Sequence, residues 1–165
     1  MLRRALVALI VVSVAAPAHA DDHVAVEAAE EMGFLAASHA RVTGSYGRRL
    51  FANRWFVEAR GGVGVGTFSD LVVLDQRLGF GIVLGGGRAV EALLGLRLGV
   101  SYVTGELNGA SFHKLTPAGE IAPMISVAIE RRWRLRFSPI LPTLFWGGDT
   151  YAASIGVEIG ADYAL

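Results

Sequence analysis

Polar and apolar residues alternate along the final segment of this chain, Tyr151 to Leu165. Every second residue from Tyr151 reads Tyr, Ala, Ile, Val, Ile, Ala, Tyr, Leu, and the interleaved set reads Ala, Ser, Gly, Glu, Gly, Asp, Ala. Successive side chains on a strand point to opposite faces, so this segment predicts a ribbon with one apolar and one polar side. The aromatic residues fall near the two ends of the apolar side, where the girdles of a membrane-spanning strand would lie.

The same rhythm predicts eight strands, at Val24–Ala36, Arg41–Leu50, Trp55–Phe68, Arg77–Leu84, Ala89–Val103, Ala118–Ile129, Arg132–Phe145 and Tyr151–Tyr163. Tight turns at Phe51–Arg54, Gly85–Arg88 and Glu130–Arg131 alternate with longer connections, of which Thr104–Pro117 is read as the one long loop. Short turns at one end and longer loops at the other are the layout of outer-membrane barrels, with both termini on the periplasmic side. For the first segment a short amphipathic helix is the alternative, because Glu30-Glu31 interrupts the alternation.

Charge separates a membrane barrel from a soluble one. With the apolar set of each strand on one side, the opposite side receives Glu58, Arg60, Asp75, Arg77, Glu91, Arg97, Glu120, Glu130, Arg132, Arg134, Arg136, Glu158 and Asp162. The apolar side is broken only by Arg48, Glu30 and Gln76. A soluble lipocalin-like barrel would bury the apolar side instead. Against it stand a polar side rich in glycine (Gly62, Gly64, Gly79, Gly95, Gly160 among others) and aromatic residues at strand ends (Trp55, Tyr102, Trp133, Phe145, Tyr163). The expected fold is therefore all-β, an eight-stranded antiparallel up-and-down transmembrane barrel. The chain resembles the group of small outer-membrane β-barrel proteins.

Residues 1–20 carry the marks of a secretory signal: Arg3 and Arg4, an apolar run from Ala5 to Ala16, and Ala18-His19-Ala20 before Asp21-Asp22. That run is shorter than the ~20 residues a spanning helix needs, so cleavage after Ala20 is expected, with 21–165 as one barrel domain in the outer membrane. Losing Arg3 and Arg4 leaves 13 basic residues against 15 acidic ones, which gives no support to nucleic-acid binding. The chain has no cysteine, hence no disulfide and no thiolate metal site. Only Lys114 among the basic residues is lysine, a bias that suits guanidinium groups packed against carboxylates in a confined space.

Eight strands enclose an interior that side chains fill, and buried charges are tolerated when paired. Arg–Glu and Arg–Asp networks are therefore expected to close the lumen. Other chemistry could come only from loops. His39 is assigned to the first loop, Ser69 and Asp70 to the second, and Ser111 and His113 to the third, and a Ser–His–Asp site depends on geometry rather than on chain order. No metal-ligand spacing, phosphate-binding loop or cofactor motif is present, and no catalytic residue is assigned.

Pro123 lies in the sixth predicted strand and Pro139 and Pro142 in the seventh, so that pair should have a gap in its ladder. In this the chain resembles the lipid A palmitoyltransferase barrels, whose proline-marked gaps admit an acyl chain. His39-Ala40-Arg41 and Phe68-Ser69-Asp70 are similar in placement to that family's catalytic histidine and aspartate regions. The chain departs from it at Leu71, where the family's serine follows the aspartate, and in a much shorter first loop. The role expected is structural or surface-interacting, with outer-membrane lipids and the barrel-assembly machinery as partners and Thr104–Pro117 as the contact loop. The alternatives are acyl transfer or hydrolysis on lipid A through His39, Ser69 and Asp70, and a narrow pore.

Overall fold

A computed structural model describes residues 22–33, 38–51, 53–67, 70–107, 110–147 and 150–165. The predicted signal segment, residues 1–20, lies outside them. The described residues form eight strands: β1 (Asp22–Gly33), β2 (His39–Leu50), β3 (Trp55–Gly66), β4 (Val72–Gly86), β5 (Val90–Leu107), β6 (Ala110–Ala128), β7 (Trp133–Gly147) and β8 (Thr150–Ala164). Each pairs antiparallel with its sequence neighbour, and β1 pairs with β8 from His23↔Ala164 to Gly33↔Ser154, closing the barrel.

The first segment is a strand, not a helix. Glu27, Ala29 and Glu31 are buried while Val26, Ala28 and Glu30 are exposed, a period of two. The outer surface of the barrel is apolar: Leu78, Phe80, Leu96, Leu98, Ile121, Ile125, Val157 and Ile159 are all exposed. Exposed apolar area on this scale needs a nonaqueous neighbour, and a band around a closed barrel fits the hydrocarbon of a bilayer.

Several predicted boundaries move, three of them with consequences. β4 begins at Val72 rather than Arg77, because Val73 fills an interior position with an apolar side chain and the polarity alternation is lost there. His39 belongs to β2 rather than to a loop. The largest correction concerns Thr104–Pro117, which is a paired hairpin and not a loop. β5 and β6 stay in register from Val90↔Val127 to Leu107↔Ala110. β4 accompanies β5 only as far as Thr104, and β7 accompanies β6 only from Ala118, so the hairpin runs on beyond its neighbours. Outside the apolar band neither face of a ribbon is buried, and the two-residue polarity signal disappears.

At the opposite rim the turns are tight. Phe51 and Asn53 take positive φ in the β2–β3 turn, and Gly86 has φ +126° before the β4–β5 turn. A side chain at Gly86 would run into the Val90 carbonyl, so this turn requires glycine.

Candidate functional site in the barrel lumen

The interior of the barrel is the chemically distinctive region. Arg41, Arg60, Arg77, Arg97 and Arg136 are buried there with Glu27, Glu31, Glu58, Asp75, Glu120, Glu158 and Asp162. Small residues on facing strands make room for them. A Cβ on Gly79 would stand 2.5 Å from Glu58 Cγ, and one on Gly160 would stand 2.3 Å from Glu27 Cγ. Glycines alternating with apolar residues along β3, β4 and β8 are thus the spaces into which neighbouring charged side chains fold.

Arg97, with no exposed surface, is the hub. Its Nε donates to Glu58 Oε1 at 2.7 Å, and its Nη1 to Glu120 Oε1 at 2.5 Å and to Glu158 Oε1 at 3.0 Å. Its remaining nitrogen, Nη2, points to the Met124 sulfur at 3.4 Å. Glu120 also accepts from Arg77, and from Arg41 at 2.9 Å. Toward the hairpin end Arg41 meets Glu31 and Asp75, each at 2.9 Å, while Ser154 donates to Glu31 at 2.9 Å and Ser101 donates to Asp75. Toward the tight-turn end Arg136 meets Asp162 at 2.6 Å, and Arg60 bridges Glu27 at 2.6 Å and Glu158 at 2.8 Å. Removing a charge from water costs several kcal/mol per ion, and here multiple short contacts offset that cost.

Beside this network lies an apolar cluster of Ala29, Phe56, Leu93, Ala122, Met124 and Leu141. Beyond it, at the rim, Arg49 grips Glu91 through both terminal nitrogens, at 2.7 and 3.3 Å, and Arg134 approaches Glu91 at 3.1 Å. Between Arg41, Thr43, Arg60, Asp75, Arg77 and Glu120 there is a cavity of about 10 Å³, roughly the space of one water-sized sphere. The lumen is packed.

The predicted gap in the β6–β7 ladder is present. Pairing stops between Glu120↔Thr143 and Ile125↔Phe137, and β7 carries one residue more than β6 across the break. Pro139 and Ile140 both face outward there. The Ser138 hydroxyl donates to the Pro123 carbonyl at 2.7 Å, supplying one bond across the gap that the prolines cannot make. Behind it, Leu141 and Ala122 have no exposed surface. The break is a bulge sealed from within, and an acyl chain entering here would meet packed side chains.

Of the predicted loop residues, His39 and Asp70 are not brought together. His39 is buried in the lumen, its Nε2 3.9 Å from Glu31 Oε2, whereas Asp70 is exposed before β4. Ser69 lies outside the described residues. Ser111 and His113 are exposed on the β6 arm of the hairpin. Among the described residues, no group of three or more His, Asp or Glu side chains is placed to hold a metal ion.

Most of the charges assigned to the polar side do face the lumen. Arg132 and Glu130 do not: both are exposed at the tight turn, and Arg134 is only half-buried. Glu27, Glu31 and Arg41 join the network unforeseen, although their spacing from Ala25 and Ala29 in β1, and from Thr43 in β2, was a signal of inward placement.

A closed barrel with a charge-filled interior and an apolar outer wall defines the transmembrane β-barrel class. Solved structures of similar fold include small outer-membrane barrels. Neisserial surface protein A is 14% identical over 87% of this chain and 96% of its own, with a TM-score of 0.70. The N-terminal barrel domain of Pseudomonas aeruginosa OprF is 14% identical over 86% and 97%, with a TM-score of 0.58. Ail, the attachment invasion locus protein of Yersinia pestis, is 10% identical over 87% and 95%, with a TM-score of 0.57. No family model matches the chain, and no curated protein matches it in sequence.

Proposed function

We propose that this protein is a non-enzymatic barrel of the outer membrane, exported after cleavage at Ala20, that contributes to the envelope structurally and makes contacts at the cell surface through the β5–β6 hairpin. The observation that carries this reading is a lumen occupied end to end by ion pairs and an apolar cluster, with the hairpin left as the element that extends beyond its neighbours. Among the described residues the β6–β7 ladder begins at Ala118, so the β6 arm of the hairpin runs past its neighbour as a strand edge of the kind that takes up an added strand. Solved proteins of this fold include one named a surface protein and one named for attachment and invasion, which accords with a surface role.

Fractionation of cells, followed by electrophoresis with and without boiling, is the primary test. Recovery in the outer membrane with heat-modifiable mobility is expected. A soluble periplasmic protein of unchanged mobility would defeat the proposal. Mass spectrometry of lipid A with and without the gene should show no difference, and a change in acylation abolished by His39→Ala would establish lipid chemistry instead.

A further inference from the structure

Arginine is distributed unevenly in this barrel. Beyond residue 20 there are twelve arginines. Five are buried in the lumen, and the other seven lie at or beside the three tight turns. Arg54, Arg88, Arg131 and Arg132 are exposed, one or more in each turn. The register puts them on one rim: Leu50 pairs with Trp55, Gly86 with Glu91, and Ala128 with Arg134. Arg134 Nη1 reaches the Arg88 carbonyl at 3.4 Å, and Ala164 N–H bonds the Arg132 carbonyl at 2.9 Å, so the turns and the barrel seam are tied together. Among the described residues Glu130 is the exposed acidic side chain of this rim. At the opposite rim the exposed charges include Glu106, Asp70 and Lys114, and no arginine stands in the hairpin.

The cationic rim adjoins an aromatic one. Trp55 stacks on Phe80 with ring centroids 5.0 Å apart, and Trp133 packs on Tyr163 at 4.9 Å. Arg132 Nη1 donates to the Tyr163 hydroxyl at 3.2 Å, which places a guanidinium at the level of the aromatic girdle. Such girdles sit at membrane interfaces, at the depth of lipid headgroups. Arginine presents a planar fork that matches phosphate oxygens, and it is held here on short turns rather than on mobile loops.

We propose that this rim is a binding collar for the phosphates of anionic glycerophospholipids in the leaflet that surrounds the tight turns. The proposal rests on the membrane-barrel reading above, which places those turns on the periplasmic side. The collar would gather anionic lipid around one end of the barrel and fix its depth.

The test is the lipid preference of the reconstituted protein. It is refolded into phosphatidylcholine bilayers, insertion is checked by heat-modifiable mobility, and association of spin-labelled phosphatidylglycerol is compared with that of spin-labelled phosphatidylcholine by electron paramagnetic resonance. A preference on the order of fivefold is expected at low salt, the equivalent of the roughly 1 kcal/mol one arginine contributes near an anionic surface. It should shrink at high salt. In the variant carrying Arg54→Gln, Arg88→Gln, Arg131→Gln and Arg132→Gln, which leaves the lumen untouched, it should fall to near parity while mobility on gels is unchanged. An inserted wild-type protein with no preference, or an equal preference in the variant, overturns the collar and leaves the barrel standing. Retention on purified cell-wall sacculi that the same four changes abolish, without lipid preference, would reassign the collar to the wall polymer and also overturn it. Failure of the wild type to insert would sink the membrane reading itself.

Discussion

Three carboxylates converge on Arg97, and none of them reaches water. Arg97→Ala would leave Glu58, Glu120 and Glu158 facing one another, and breaking such a pair is expected to cost about 3–5 kcal/mol. A urea titration read by gel mobility should show a large drop in midpoint, whereas the exposed Arg131→Gln should shift it by no more than about 0.5 kcal/mol. Alternation puts Arg134 on the polar side of its strand, but its side chain is 20% exposed and pairs with Glu91 near the rim, so Arg134→Ala should cost only on the order of 1 kcal/mol. Alternation tells which way a side chain points and not how deep along the barrel it sits. Close approach of backbones sets a second limit. A Cβ at Gly99 would stand 1.9 Å from the Gln76 carbonyl oxygen, so Gly99→Ala should reduce the yield of heat-modifiable protein by forcing β4 and β5 apart.

Strand number, strand order and most of the charged inward set of β3 to β8 are legible in the sequence because an apolar exterior and a charged interior impose opposite demands on alternate residues. That contrast fades where the band ends. Alternation alone therefore reads the end of the β5–β6 hairpin as a loop, although the dipeptide Asn108-Gly109 in its sequence favours tight hairpins. The interior positions of Val73 and Leu141 were hidden by the same logic, since an apolar residue facing the lumen does not announce its side. Prolines did mark the β6–β7 break, but not its seal by Ser138. Ser138→Ala should lower stability by about 1 kcal/mol through the lost bond to the Pro123 carbonyl, measurable by the same urea titration. Shortening the hairpin by removing Glu106 to Ser111 should leave the unfolding midpoint unchanged, because the described residues of that stretch pair only with each other. Any surface contact the protein makes should vanish with them.

Taken as one body, the barrel has a continuous relay of contacts from Ser154 and Glu31 through Arg41, Glu120, Arg97, Glu58 and Arg136 to Asp162. The cavity that adjoins it at Arg41, Arg77 and Glu120 has room for about one water-sized sphere, so planar bilayers containing the purified protein should show no steady open-channel current. Reproducible wild-type conductance would mean that the ion pairs open, and the plug would be a gate. The seam between β1 and β8 has a different consequence. It joins strands from opposite ends of the described chain, with the Leu165 N–H bonded to the Asp22 carbonyl at 2.9 Å. A barrel with this seam still open carries two raw strand edges, and the sequence separation of the two strands predicts that they pair last. A free peptide copying Thr150–Ala164 would compete for the β1 edge at that final step, stalling the nascent cylinder as an open crescent before the last strand can dock.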